Sequence, residues 1–210
     1  LLCMYLNNNE NSQLFTGKSL RLGGSKELYE NNNTFFGDLS AILIDNMPMW
    51  AEFSSTPSNK TSLMSNWETK LPAIIKESSI ENVTSLAGVP SWMMVLLNKT
   101  LEENKKTNIL EIWPNVEVYF HGGVSFEPYK EQYKNLFPKD DFKYYEIYNA
   151  SEGFFALQDR NDSNELLLML DYGIFYEFIP MDTFGKENQK VIPLSEVELQ
   201  ADGKKATFFY

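Results

Sequence analysis

Along this chain, short runs with a two-residue apolar period alternate with longer runs whose apolar residues recur every three or four positions. The short runs stop at glycine pairs or polar turns, and this alternation constrains the fold more than any other feature. A period of two makes a half-buried strand, and spacing at i, i+3 and i+4 makes an amphipathic helix. Strands interleaved with helices build an α/β domain whose sheet is at least partly parallel. Residues 18–22 are expected as a strand ending at Gly23-Gly24-Ser25. A short helix follows over 37–44, after Phe35-Phe36, and then a loop over 48–58. Residues 62–76 carry Leu63, Trp67, Leu71 and Ile74 at helical spacing, with Pro72 expected to kink or restart the helix.

The second half repeats the pattern. A strand over 83–87 ends at Gly88, and Pro90 opens a helix reaching about Glu103, in a first turn that loses nothing by lacking an N–H. Residues 115–120 alternate as Val116, Val118 and Phe120 and end in His121-Gly122-Gly123. Phe126, Tyr129, Tyr133 and Leu136 mark one helix face. Strands are expected over 142–148, 154–157, 166–170 and 174–179, with a hairpin turn over 159–164 and an edge strand over 206–210. The fold class is therefore a mixed, partly parallel sheet flanked by helices. In such sheets ligands bind where the loops gather at the carboxyl ends of the strands.

Charge and cysteine content narrow the function. The 210 residues carry 29 acidic and 18 basic side chains, a net charge of -11. Such a surface repels phosphate backbones, which argues against nucleic-acid binding. It remains compatible with a metal-bound nucleotide, because a cation reverses the local charge logic. The single Cys3 forms no internal disulfide, which fits a reducing compartment, and its apolar neighbours suggest a packed thiol rather than a nucleophile. The longest apolar stretch, 89–97, is far short of the ~20 residues of a membrane span. With no basic, apolar leader at the start, a cytoplasmic location is expected. The chain opens on Leu1 within an apolar segment, as an excised piece would. The sequons at Asn32, Asn59, Asn82 and Asn98 read as chance in an Asn-rich chain.

Two strand ends carry the candidate chemistry. Tyr148-Asn149-Ala150-Ser151-Glu152-Gly153 puts a ring, a hydroxyl and a carboxylate within one turn. The ring suits stacking on a base, the hydroxyl suits a phosphate oxygen and the carboxylate suits Mg²⁺. The same residues also read as a polar turn after a strand, with Tyr148 in the core. His121-Gly122-Gly123-Val124 reads either as a backbone that a ligand approaches closely or as a tight turn. His121, the only histidine, is read as structural before it is read as a general base. A His/Cys zinc cage is excluded. Gly17-Lys18-Ser19 lacks the upstream glycine of a phosphate loop, and Gly23-Gly24-Ser25-Lys26 reads as a turn. Pairs such as Glu127 or Glu146 with Glu152 are chance among 29 acids. Trp50, Trp67, Trp92 and Trp113 are expected in the core rather than as a sugar platform. Trp92-Met93-Met94 either lines an apolar pocket or packs the sheet.

These segments, in this order, resemble the Gretchen Hagen (auxin-responsive promoter) family of acyl-acid amido synthetases, within the adenylate-forming enzymes. Tyr148-Asn149-Ala150-Ser151-Glu152-Gly153 is similar to that family's Tyr-Ala-Ser-Ser-Glu motif. Ile112-Trp113-Pro114-Asn115 before His121-Gly122-Gly123, and Phe175-Tyr176-Glu177-Phe178-Ile179-Pro180 after it, stand at the family's expected places. Leu86-Ala87-Gly88-Val89-Pro90-Ser91-Trp92 and Leu20-Arg21-Leu22-Gly23-Gly24-Ser25 resemble bacterial-type members. The resemblance spans residues 18–198 and implies part of the large N-terminal domain of an adenylate-forming enzyme, over 1–200, followed by a tail over 201–210.

The resemblance implies a ligase that takes ATP, Mg²⁺, a carboxylic acid and an amino acid, forms an acyl-adenylate and then an amide, and releases AMP. It places Tyr148 on the adenine, with Gly122, Gly123 and Val124 lining that pocket. Asn149, Ala150 and Ser151 would contact the nucleotide. Ser151 and Glu152 would be catalytic, with Glu152 on the metal. Val89, Trp92 and Met93 would border the acyl group. The family's phosphate loop should lie before Leu1, and its small C-terminal domain, with a catalytic lysine, after Tyr210. Lys204 and Lys205 do not resemble that lysine. Two rival readings stand beside this one: a non-catalytic nucleotide-binding or structural fragment, and an acyl-coenzyme A ligase. Neither a membrane nor a nucleic acid is an expected partner; the missing flanking segments of the same enzyme are.

Overall fold

A computed structural model describes residues 1–24, 29–32, 34–197 and 208–209. The chain divides into two compact units, Leu1–Met169 and Leu170–Tyr210. The boundary expected at residue 200, the turn through Ser25 and Lys26, and Lys204 and Lys205 lie outside the described residues. Among the described residues, no helix is long and apolar enough to cross a membrane.

The first unit begins with α1 (Leu2–Asn8), a 3₁₀ turn and β1 (Lys18–Arg21). A small antiparallel pair, β2 (Tyr29–Asn31) and β3 (Thr34–Phe36), precedes α2 (Leu39–Asp45). The carboxylate of Asp38 caps α2 by accepting from the Ala41 N–H. The loop expected over 48–58 instead holds α3 (Met49–Phe53) and β4 (Ser55–Thr56). Elements of five and two residues are too short to show a period, which is why the sequence pattern misses them. Next come α4 (Asn59–Ser62) and α5 (Trp67–Ser78). The latter runs uninterrupted through Pro72. Pro72 and Glu68, whose carbonyl loses its helical partner, are both exposed, so the missing hydrogen bond lies on the solvent side.

The remaining elements follow the expected order: β5 (Val83–Gly88), α6 (Pro90–Asn104), β6 (Val118–Gly122), α7 (Lys130–Leu136), β7 (Lys143–Ala150), β8 (Gly153–Leu157) and β9 (Leu167–Leu168). They form a seven-stranded sheet in the order β4-β1-β5-β6-β7-β8-β9. The pairings from β4 to β7 are parallel, and those of β7 with β8 and β8 with β9 are antiparallel. The sheet is mixed and mostly parallel, as the alternation implies.

Helices cover both faces of the sheet. On one, Leu20, Leu86 and Tyr119 meet Ile74 and Ile75 of α5, Met93, Leu96 and Leu97 of α6, and Tyr133 and Leu136 of α7. On the other, Tyr5 of α1 packs with Val118, Phe120 and Tyr145. The alternation Val118, Tyr119, Phe120 within β6 sends successive side chains to opposite faces. Cys3 is exposed rather than packed. It stands two positions from the buried Tyr5, which on a helix is roughly the opposite side. Of the tryptophans expected in the core, Trp113 is buried, and its indole N–H donates to the Ser78 carbonyl at 2.9 Å. Trp50 and Trp92 are 70% and 55% exposed. Both sit on helices whose buried faces are filled by other residues.

The second unit contains a three-stranded antiparallel sheet in the order β11-β10-β12, with β10 (Glu177–Pro180) between β11 (Ile192–Pro193) and β12 (Phe208–Phe209). The last of these lies at the edge of the sheet. Tyr176 and Phe178 stack at 6.3 Å between ring centroids.

Candidate functional site

The carboxyl ends of the parallel strands of the first unit open into a cleft of about 590 Å³. Leu22, Gly23 and Gly24 follow β1, Gly88 and Val89 close β5, Gly122 and Gly123 end β6, and Ile147 and Asn149 come from β7. This is the position that a parallel α/β sheet reserves for ligands.

Backbone proximity explains the glycines. A Cβ on Gly122 would collide with the carbonyl oxygen of Ile147 on the neighbouring strand. Gly123 takes φ +83°, a left-handed conformation that other residues resist. The loop after β5 is held from below by two tyrosines. The Tyr119 hydroxyl donates to the Gly88 carbonyl and the Tyr133 hydroxyl to the Pro90 carbonyl, each at 2.8 Å. The two rings stack 5.0 Å apart.

His121 lines the cleft and also a second cavity of about 450 Å³ beside Phe126, Glu127 and Glu146. It is 3% exposed, its ring stacks on Phe126 at 4.1 Å, and its Nδ1 has no hydrogen-bond partner among the described residues. Burial pushes its pKa down to about 4, so the imidazole is neutral at pH 7. In the second cavity, burial and then the charge of Glu127 raise the Glu146 carboxyl above its ordinary range.

The cleft gathers some of the residues singled out from the sequence. Gly122, Gly123, Asn149, Val89 and Trp92 line it. Met93 lies in the core, with its methyl group directly under Gly88. Val124 is exposed outside the lining. The strand β7 continues through Tyr148, Asn149 and Ala150, so the expected polar turn is a two-residue hairpin of Ser151 and Glu152, closed by Ala150 opposite Gly153. Ser151 and Glu152 are exposed at its tip, and the Tyr148 ring packs 5.1 Å from Phe155.

Other lining residues escaped the sequence reading: Asp38, Ser40, Met64, Ser65, Trp67 and Lys70. Asp38 had a signal, an acid with a serine two residues on, just before an apolar helical run. Burial lowers the Lys70 pKa, and the charge of Asp38 opposes that shift. Lys70 lies on the Ile74 side of α5, where a charge interrupts the apolar face. Trp67 and Trp92 meet edge-to-face at 5.4 Å.

A mostly parallel sheet with an apolar, glycine-edged cleft at its strand ends defines an α/β domain. Residues 4–142 match the model of the GH3 family N-terminal domain. The chain belongs to the GH3 (Gretchen Hagen) family, the family its motifs resemble. Its fold is similar to a solved GH3.15 acyl acid amido synthetase, with a TM-score of 0.71 at 10% sequence identity, over 94% of this chain and 44% of that one. It therefore spans less than half the length of that structure. No curated protein sequence matches it.

Proposed function

We propose that this chain carries the acid- and nucleotide-binding part of an acyl-acid amido synthetase. Such an enzyme uses ATP to convert a carboxylic acid to an acyl-adenylate and then passes the acyl group to an amino acid. The observation that carries this reading is the strand-end cleft itself, in a chain of the GH3 family, with Asn149 of the Tyr148-to-Glu152 motif in its lining. The fold shared with a solved acyl acid amido synthetase supports the same class.

In the first step a carboxylate oxygen attacks the α-phosphorus and pyrophosphate leaves. In the second the amine attacks the acyl carbonyl, AMP leaves and the nitrogen gives up a proton. The Tyr148 ring would stack on adenine, and Gly122, Gly123 and Val124 would border it. Asn149 and Ala150 would contact the nucleotide, and the Ser151 hydroxyl would donate to an α-phosphate oxygen. Val89 and Trp92 would border the acyl group, with Met93 beneath them.

The donor set fits Mg²⁺. Among the described residues, no three His, Cys, Asp or Glu side chains converge as a protein-only cage. A single exposed carboxylate, Glu152, suits an ion that takes most of its oxygens from phosphates and water. Bound there, Mg²⁺ would neutralise charge on the phosphates. The rest of the work would be positioning of the acid and the nucleotide by the cleft. ATP is plentiful in the cytoplasm, which is the proposed location.

The test is AMP release by the chain given ATP, Mg²⁺, an aryl carboxylate and glycine. Amine-dependent release that disappears in Glu152→Ala is the expected result. Release that requires coenzyme A instead of glycine would make the chain a thioester-forming ligase. Nucleotide binding without release of AMP would make it a binding portion only.

A further inference from the structure

Away from the strand-end cleft, two consecutive helices turn apolar sides to solvent. On α2, Leu39 and Leu43 stand four positions apart, on the side away from the buried Ala41. On α3, Met49, Trp50 and Phe53 share the side away from the buried Ala51. Leu43 is 61% exposed, Met49 74% and Phe53 77%. Only Asn46, Met47 and Pro48 separate the two helices. Ala41 and Ile44 fill the buried side of α2, and Ala51 fills that of α3. The core is therefore closed without the exposed side chains. Apolar surface gathered on neighbouring elements marks a place where something docks. Trp, Phe and Met are the types enriched where proteins bind one another.

Charge says what kind of partner fits. Between Lys26 and Lys60 the sequence has no Lys, Arg or His, but it has Glu27, Glu30, Asp38, Asp45 and Glu52. Asp45 ends α2 and Glu52 lies within α3, and both are exposed. Arg21 reaches α3 from its buried side, where the half-buried guanidinium donates to the Ala51 carbonyl at 3.5 Å. An apolar face with an acidic border complements an apolar face with a basic border. A second copy of this chain does not supply one. A two-fold pairing would set Asp45 and Glu52 against their own kind, in a chain of net charge -11. The same carboxylates are repelled by an anionic lipid surface. A helix supplies the pattern most simply, with apolar residues at i, i+3, i+4 and i+7 and basic residues beside them.

We propose that the exposed side of α2 and α3 is a docking surface for an amphipathic helix whose apolar stripe is flanked by Lys or Arg. Trp50 and Phe53 anchor the stripe, and Asp45 and Glu52 face its basic flanks. The inference does not depend on the function proposed for the cleft.

The test is fluorescence anisotropy of a labelled amphipathic peptide built from Leu and Lys, titrated with the full chain. Its counterpart with Glu in place of every Lys is titrated in parallel. The expected result is saturable binding of the Leu–Lys peptide, at least tenfold tighter than that of the Leu–Glu peptide. Trp50→Ser combined with Phe53→Ser should weaken it at least tenfold. Asp45→Asn combined with Glu52→Gln should weaken it severalfold and flatten its salt dependence. Phe15→Ser, which alters an exposed aromatic on another element, should leave it unchanged. The comparison of the two peptides on the unaltered chain stands even where a variant fails to fold. Equal affinity for both peptides, no saturable binding, or binding that survives Trp50→Ser with Phe53→Ser would each overturn the proposal. Sedimentation of the chain as a dimer that the same double variant dissociates would make the face a contact between copies and overturn it. Binding to phosphatidylcholine vesicles that the double variant loses would make it a lipid-binding face, with the same consequence.

Discussion

The two strand ends that carry the family motifs are held in opposite ways. The end of β6 sits inside the sheet, with β5 on one side and β7 on the other. Gly122 presses against the backbone of Ile147, and the histidine is buried under Phe126. The end of β7 turns back at once into β8 and presents Ser151 and Glu152 to solvent. The first is a preformed wall, whose residues are fixed by packing whether or not a ligand is present. The second is an exposed tip, whose side chains contribute little to the fold.

That contrast predicts a descending series of effects on stability. The largest belongs to His121. Its folded pKa of about 4 lies below its ordinary value of 6.5. Between those values the unfolded chain holds a proton that the folded chain does not, so stability falls as pH drops from 6.5 to 4, by about 3 kcal/mol, and has no such dependence above 6.5. Urea unfolding across this range, compared with His121→Gln, should show the extra loss only in the unaltered chain. Gly122→Ala comes next, at about 2 kcal/mol, because the new methyl group meets a backbone carbonyl that has no room to move. Unchanged stability in that variant would break the claim of a rigid wall. Tyr119→Phe removes the support of the Gly88 carbonyl and should cost about 1 kcal/mol in the same assay. At the other end, Glu152→Ala should change stability by no more than about 0.5 kcal/mol while abolishing Mg-dependent nucleotide binding. A large loss of stability there would make the tip a structural element.

The same contrast explains what the sequence reveals. The parallel strands and their covering helices were legible because each is long enough to show a period. Residues 48–58 were not, since a five-residue helix and a two-residue strand carry none. Gly122 and Gly123 were legible as a special backbone position, either a close approach or a tight turn, but the sequence did not show that Gly122 lies against the Ile147 carbonyl of the next strand. Asp38 and Lys70 were harder. Their importance arises from a meeting across 32 residues of sequence that no local pattern encodes, although a lysine on the buried face of α5 is a visible anomaly. The continuation of β7 through Asn149 depends on pairing with β8, which is a tertiary fact. Cys3 and Trp50 were misplaced because an apolar neighbourhood in sequence does not say which face of a short helix is covered.

Calorimetric titration of Mg-ATP into the chain, beside Tyr148→Ala, tests most directly whether this domain holds a nucleotide. Saturable binding that Tyr148→Ala weakens tenfold or more, with the variant's stability unchanged, is the predicted result, in line with the worth of one aromatic stack on a base. A folded chain that gives no saturable heat, or a Tyr148→Ala variant that binds as tightly as the unaltered protein, would contradict it.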